Sequence, residues 1–214
     1  MDYAATYNSA SIRYHASDMI LEVDSDASYL VLPKARSRYA GYFRLLDKED
    51  THNRSIHNGA VLIECKTIRH VVSSAAEAET KGVFENAKKV ITMRHLLHDM
   101  GHPQKQTTIN TDNSTTVGFV SKNIQLKKSK SWDMNFHWLR DKELQNKIKV
   151  VWKKGKANNA DYFTKHHAIT HHRKTRPIYI KDTIENSFKI LKDLKKVKDI
   201  TDRKGVLILS MHSH

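Results

Sequence analysis

Val72-Ser73-Ser74-Ala75-Ala76-Glu77-Ala78-Glu79 marks the place where the pattern of this 214-residue chain changes. From Ser74 to Met100 the apolar residues Val83, Ala87, Val90, Ile91, Leu96 and Leu97 recur at helical spacing. Ser74 with Glu77 three residues later is a capping-box pattern, and Gly101 followed by Pro103 is a stop signal. The stretch predicts one long helix. Upstream the period is that of strands. Met19 to Asp26, Tyr39 to Leu46 and Ala60 to Ile68 read as three consecutive strands with short links, an antiparallel meander. Pro33 to Arg38 reads as a basic connector, and Asp47 to Gly59 as a loop. Downstream, a strand at Thr107 to Asp112 and a short helix at Asn113 to Ser121 precede a basic connector at 122–130. A helix carrying Trp132, Phe136, Leu139 and Leu144 comes next, then a strand at Ile148 to Trp152 and the start of a last helix at Asn158 to Lys165. The order β-β-β-α-β-α-α-β-α predicts an α/β mixed sheet covered by helices.

Composition bounds the function. Hydrophobic residues make up 39% and charged residues 28%, a somewhat polar globular profile. The single cysteine, Cys65, excludes a disulfide framework and points to a reducing compartment. No apolar run is long enough for a transmembrane helix. Met1-Asp2-Tyr3-Ala4 lacks the basic start of a signal peptide, so an intracellular protein is expected. The net charge of +14 calls for a polyanionic partner. That charge is uneven. Residues 1–121 hold 14 basic and 14 acidic side chains, whereas 122–156 carry +8 and 165–204 carry +7. A neutral half beside a basic half suits a catalytic core next to a phosphate-binding surface. A solvated charged face would have the same composition.

Four carboxylates stand out by position. Asp26 ends the first predicted strand, Glu79 lies in the first turns of the long helix, Asp112 ends the fourth strand, and Asp161 starts the last helical segment. Strand ends and helix starts can converge on one edge of a sheet. Converging carboxylates repel one another unless a cation neutralises them. Mg²⁺ prefers hard oxygen ligands, and two such ions form the clamp used for in-line phosphodiester displacement. Acidic residues at helix starts also have a purely structural role, through the helix dipole.

The segments around these residues carry a resemblance. Ser25-Asp26-Ala27-Ser28-Tyr29, Pro33-Lys34-Ala35-Arg36-Ser37-Arg38, Val72 to Glu79, Thr111-Asp112-Asn113-Ser114, and Asn159-Ala160-Asp161-Tyr162-Phe163-Thr164-Lys165-His166-His167 occur in that order. Over about residues 2–181 the chain resembles the ribonuclease H domain of copia-type retrotransposon Pol polyproteins, the part that follows the reverse transcriptase. The resemblance implies a ribonuclease H-like fold with a five-stranded mixed sheet, its first three strands antiparallel, flanked by helices. It implies endonucleolytic cleavage of the RNA strand of RNA–DNA hybrids with two Mg²⁺ ions, Mn²⁺ being a substitute.

Asp26, Glu79, Asp112 and Asp161 fall on the family's four carboxylate positions, as catalytic and metal-binding residues. Asp24 shares the strand face of Asp26 and competes with it for the assignment; Glu77 and Glu79 point to different sides of the helix, and Glu77 is given a capping role. Lys127, Lys128 and Lys130, with Asn113 and Ser114, are the expected nucleic-acid contacts. The implied partners are the hybrid and, in an intact element, the reverse transcriptase domain of the same polyprotein. No membrane and no small-molecule substrate are expected. The implied location is cytoplasmic, in a virus-like particle, or nuclear, and not secreted.

The expected organisation is a lead-in at 1–17, the ribonuclease H-like domain at 18–167, and a basic tail at 168–214 with an amphipathic helix marked by Phe188, Leu191, Leu194 and Val197. Departures from the family are Thr80, where a larger apolar residue is usual, and a loop at Gly155 to Asn159 without the His of cellular enzymes. The chain has no Asp-Asp dipeptide and hence no polymerase site. The alternative is a catalytically inactive remnant of a decayed element that acts at most as a basic nucleic-acid-binding domain. An integrase-like nuclease is disfavoured by Ala160-Asp161-Tyr162-Phe163-Thr164-Lys165. The pairs His166-His167 and His171-His172 read as a polar, partly cationic segment rather than a zinc site. Cys65 and Trp152 are expected in the core, as are most of Trp132, Phe136 and Trp138, although these three could stack bases.

Overall fold

The computed structural model describes residues 9–48, 58–121 and 130–182. Among the described residues seven strands run in chain order: β1 (Ala10–Ser11), β2 (Ile20–Leu32), β3 (Arg36–Leu46), β4 (Leu62–Thr67), β5 (Thr107–Thr111), β6 (Ile148–Trp152) and β7 (Lys181–Asp182). The helices are α1 (Ala75–Asp99), α2 (Ser114–Val120), α3 (Lys130–Leu144), α4 (Asp161–Thr164) and α5 (Ile169–Tyr179). A 3₁₀ turn, Gly155–Ala157, precedes α4.

Strands β4-β3-β2-β5-β6 form the five-stranded mixed sheet expected from the sequence. β2 pairs antiparallel with β3, and β3 with β4. β5 lies parallel to β2 through Glu22↔Thr108, Val23↔Ile109 and Asp24↔Asn110, and β6 lies parallel to β5. Residues 14–172 form one compact unit. The described residues 9–13 and 173–182 belong to a second unit, in which β1 and β7 pair antiparallel.

The long helix forms for the reasons its sequence states. Ser74 Oγ accepts from Glu77 N at 3.1 Å, and Glu77 Oε2 accepts from Ser73 N at 2.7 Å and Ser73 Oγ at 2.6 Å. The helix stops at Gly101, whose φ of +86° continues the chain left-handed while His102 N donates to Leu97 O at 2.8 Å. Its inner face, with Val83, Ala87 and Val90 fully buried, packs on Val23, Phe43 and Ile109 of the sheet. Phe119 of α2 and Phe136 of α3 meet edge to face beside them, 5.8 Å between centroids.

Several boundaries differ from the sequence reading. The first strand runs on to Leu32, and the expected connector shrinks to a turn in which Lys34 and Ala35 take left-handed φ. Segment 166–181, expected to be merely polar, contains α5 with Pro177 inside it. The amphipathic helix expected beyond residue 182 lies outside the described residues. So does Lys127-Lys128; Lys130 is the first residue of α3.

Two core assignments are corrected. Cys65 is exposed, with Sγ 3.1 Å from Phe163 O. Strand alternation decides this. Glu64 lies opposite Gly41, on the face covered by α1, so Cys65 points to the other face, where the four-residue α4 gives little cover. Trp152 is 52% exposed. It closes the edge strand β6 beyond buried Ile148 and Val150, and its indole N–H donates to Asp112 O at 3.0 Å. Phe136 is buried as expected, and Trp138 packs against the core at its margin. Trp132 lies outside the described side chains.

Candidate metal centre

Asp26 sits near the middle of β2, opposite Ala40 of β3, and is 1% exposed. Glu79 is the fifth residue of α1 and is 7% exposed. Asp112 follows the last residue of β5, immediately before Asn113, which caps α2 by accepting from Thr116 N at 3.0 Å. The parallel pairing of β5 with β2 and the packing of α1 on β2 bring these three together. One carboxylate oxygen from each lies within 4.8 Å of the others.

The electrostatics are those of an uncompensated cluster. Burial, helped by the charges of Asp161 and Asp112, pushes the Asp26 carboxyl up to about 6, against the opposing hydrogen bond from Thr164 and the charge of Lys165. Burial, then Asp26 and Asp112, push Glu79 well above the ordinary glutamate range. Glu79 Oε1 accepts from Ala27 N at 3.2 Å, while its buried Oε2 has no partner among the described residues. Three hard oxygen donors with an orphaned buried oxygen among them fit a divalent cation such as Mg²⁺. Gly155 matters here. A Cβ on it would stand 2.8 Å from Asp112 Oδ2, so the turn before α4 leaves that carboxylate its space.

Asp161, the fourth expected carboxylate, opens α4 and pairs with Lys165 one helical turn on. It lies outside the three-oxygen group, although its charge reaches Asp26. Thr164 of the same turn donates to Asp26 Oδ2. Ser114 is exposed at the first turn of α2.

Asp24, the competitor of Asp26 in the sequence reading, has a different environment. It is fully buried and accepts from Lys153 Nζ at 2.8 Å, Asn110 Nδ2 at 2.8 Å, Asn159 Nδ2 at 2.9 Å and Asn159 N at 3.1 Å. Burial alone would raise its pKa; the charges of Arg44 and Lys153 and the hydrogen bonds outweigh it and hold it below the usual value. Asp24 thus ties the segment leading to Asp161 onto β2, and Asn158 Nδ2 adds a bond to Ser25 O at 2.8 Å.

The sequence reading assigned no role to Lys153, Asn158, Asn159, Thr164, Lys165 or Gly155. The i,i+4 spacing of Asp161 and Lys165 was a visible signal for one of them. Thr80, the departure noted above, is buried and satisfied: Oγ1 bonds Ala76 O at 2.9 Å and Thr116 Oγ1 at 3.1 Å.

No family model matches the chain. Among curated proteins it is similar to the retrovirus-related Pol polyprotein from transposon TNT 1-94 of Nicotiana tabacum, 26% identical over 107 residues. The match covers 50% of this chain, and the chain spans about 8% of that relative's length. Among solved structures, LC11 ribonuclease H1 isolated from compost aligns with a TM-score of 0.50 at 10% identity, over 68% of this chain and 92% of that one. A structure of LC11 ribonuclease H1 in complex with an RNA/DNA hybrid gives 0.49 at 10% identity, over 67% and 92%. Strand order and the likeness at a TM-score of 0.50 agree on the fold: the chain carries a ribonuclease H-like domain with distant similarity to a copia-type retrotransposon Pol polyprotein.

Proposed function

We propose that the chain cleaves the RNA strand of RNA–DNA hybrids endonucleolytically, as the ribonuclease H part of a retrotransposon Pol polyprotein. The observation that carries this reading is the convergence of Asp26, Glu79 and Asp112 at the end of the β2–β5 parallel pair, with the Glu79 oxygen left unpartnered. Those three residues would hold divalent cations, with Asp161 as the fourth ligand once Lys165 releases it. Bound there, such cations supply an activated water and stabilise the leaving oxygen of a phosphodiester. The residues' own work is to hold that charge in place. Thr164 orients the Asp26 carboxylate, Ala27 N fixes one oxygen of Glu79, and Asn113 anchors the chain beyond Asp112 by capping α2.

Lys165 supplies only a partial countercharge to the cluster; burial would lower its pKa, but the hydrogen bond it donates to Asp161 and the charges of Asp26, Asp161 and Asp112 outweigh that and raise it. The hybrid would be recognised by shape, phosphates and 2′-hydroxyls rather than base edges, with Ser114, Asn113 and the lysines at 127, 128 and 130 as proposed contacts.

The test is cleavage of an end-labelled hybrid with Mg²⁺, beside EDTA and Asp112→Asn controls. Cleavage of the RNA strand alone, lost in both controls, supports the reading. A folded protein that binds the hybrid but leaves it intact overturns it in favour of a non-catalytic nucleic-acid-binding remnant.

A further inference from the structure

The rings around the end of α4 form a second feature, one that the carboxylate chemistry does not use. Tyr162 and His167 lie with their planes 8° apart and their centroids 5.2 Å apart. For His167 and His171 the values are 19° and 4.2 Å, and for Tyr162 and His171 they are 23° and 6.4 Å. Three planar side chains thus share nearly one orientation. They come from α4, from the link behind it and from the first turn of α5.

The arrangement is held in place. His167 Nε2–H donates to Tyr162 O at 3.1 Å, and Tyr162 Oη lies 2.6 Å from His172 Nδ1. Phe163 stands edge-on to Tyr162 and stacks on Tyr42 of β3 at 6.2 Å, which fixes the group to the sheet. Yet the group is no core. His171 and His172 are exposed, and Tyr162 and His167 are only half-buried. Ordering side chains at a surface costs rotamer entropy that so little burial does not offset.

A metal ion does not explain these rings. An imidazole binds a cation through a nitrogen lone pair in the ring plane, and rings stacked face to face do not aim those lone pairs at one point. The three-donor group among the described residues contains none of these histidines. Parallel exposed rings offer a π-face, and the matching ligand is another flat ring.

Position says which ring. Tyr162 directly follows Asp161, and Thr164 of the same turn donates to Asp26. The rings therefore stand on the element that is tied to the carboxylates. Nucleic acid bound there carries flat rings, but in a duplex both faces of each base are already covered by neighbours. Only an unpaired base has a face to give.

We infer that Tyr162, His167 and His171 form a stacking platform for an unpaired nucleobase beside the carboxylate cluster, with His171 as the exposed contact. The chain then prefers hybrids that carry a single-stranded extension over blunt ones. This rests on the nucleic-acid part of the function proposed above and does not depend on cleavage.

The experiment measures binding to the full chain, in EDTA, of a blunt RNA–DNA hybrid and of hybrids with a short overhang containing 2-aminopurine, on either strand and at either end. At least one overhang should bind about five- to thirtyfold tighter than the blunt duplex, with its 2-aminopurine fluorescence quenched on binding. An abasic overhang should bind like the blunt hybrid. His171→Ala should remove the preference and the quenching. His171→Phe, which keeps a flat ring, should retain both, and His171→Lys, which keeps a charge without a ring, should not. His171 is exposed, so all three variants should melt as wild type.

Equal binding of blunt and overhung hybrids, or no binding of either, overturns the inference. So does a preference that survives in the abasic overhang or in His171→Ala, because phosphates rather than a stacked base would then carry it. The proposed nuclease is judged separately, by cleavage with Mg²⁺. A blunt hybrid that is cut while overhangs gain nothing removes the platform and leaves the nuclease. A tighter, quenched overhang with no cleavage leaves the platform and removes the nuclease.

Discussion

Asp24 and Asp26 lie two residues apart on one strand face, yet their carboxyls shift in opposite directions. The difference lies in the company each keeps. Asp24 has Lys153, Asn110, Asn159 and Arg44; Asp26 has Thr164 and the repulsion of two further carboxylates. The consequences for stability have opposite signs. The lowered Asp24 contributes stability that is present above the ordinary aspartate value of 3.8 and lost as pH falls below it. The raised Asp26 contributes stability that is full below 3.8 and lost as pH rises through about 6.

Asp24→Ala strands the Lys153 and Asn159 partners and should cost on the order of 3–5 kcal/mol in thermal or urea unfolding at pH 7. Asp26→Asn keeps an acceptor for Thr164 and removes a buried uncompensated charge. It should raise the metal-free stability at pH 7.5 by up to about 3 kcal/mol. Mg²⁺ should then stabilise wild type and do little for the variant. Equal melting of the two metal-free proteins would show that Asp26 already has a countercharge. Gly155→Ala pushes a methyl toward Asp112 Oδ2 and should lower cleavage while leaving the melting temperature within a degree or two.

At the scale of elements, α1 shows why so much of this architecture is legible in the sequence. Cap, apolar stripe and stop signal are all local, and they bound the helix to within a residue or two. Ser74→Ala should cost roughly 1 kcal/mol, measured by urea unfolding, because it removes the acceptor of Glu77 N. The five strands of the sheet are legible by their own period as well. What escaped was non-local. Trp152 has the apolar character of a core residue, but its place at the open end of an edge strand is set by the sheet order. Cys65 and Glu64 exchange inside for outside because Glu64 lies opposite Gly41 on the face toward α1, whereas Cys65 points to the face that α4 covers only in part. Of the carboxylates, the three that meet could be named from motif segments, while the bonds that place Asp161 depend on Asp24, Lys153 and Asn159, which are far apart in the chain.

For the whole molecule, a cation held by the repelling cluster would couple stability to metal and to pH. Ligands must be deprotonated to bind a cation, so stabilisation by Mg²⁺ should weaken as pH falls through about 6, the value to which Asp26 is raised. Melting curves with and without Mg²⁺ between pH 5 and 8 would check this. A metal-induced shift that is flat across the range would place the cation elsewhere. Among the described residues no helix is long and apolar enough to cross a membrane, and the charge is strongly positive.

The parallel register of β2 with β5 has a kinetic consequence. Neighbours in that pair are separated by the whole of β3, β4 and α1, whereas the β2–β3 hairpin and α1 itself close over short distances. Local contacts form early in refolding and distant parallel pairings form late, because the intervening chain must first be ordered. The three carboxylates meet only when that last pairing is made. After dilution from denaturant, ellipticity should therefore return before the proposed nuclease activity does, and the lag between them would time the docking of β5 against β2.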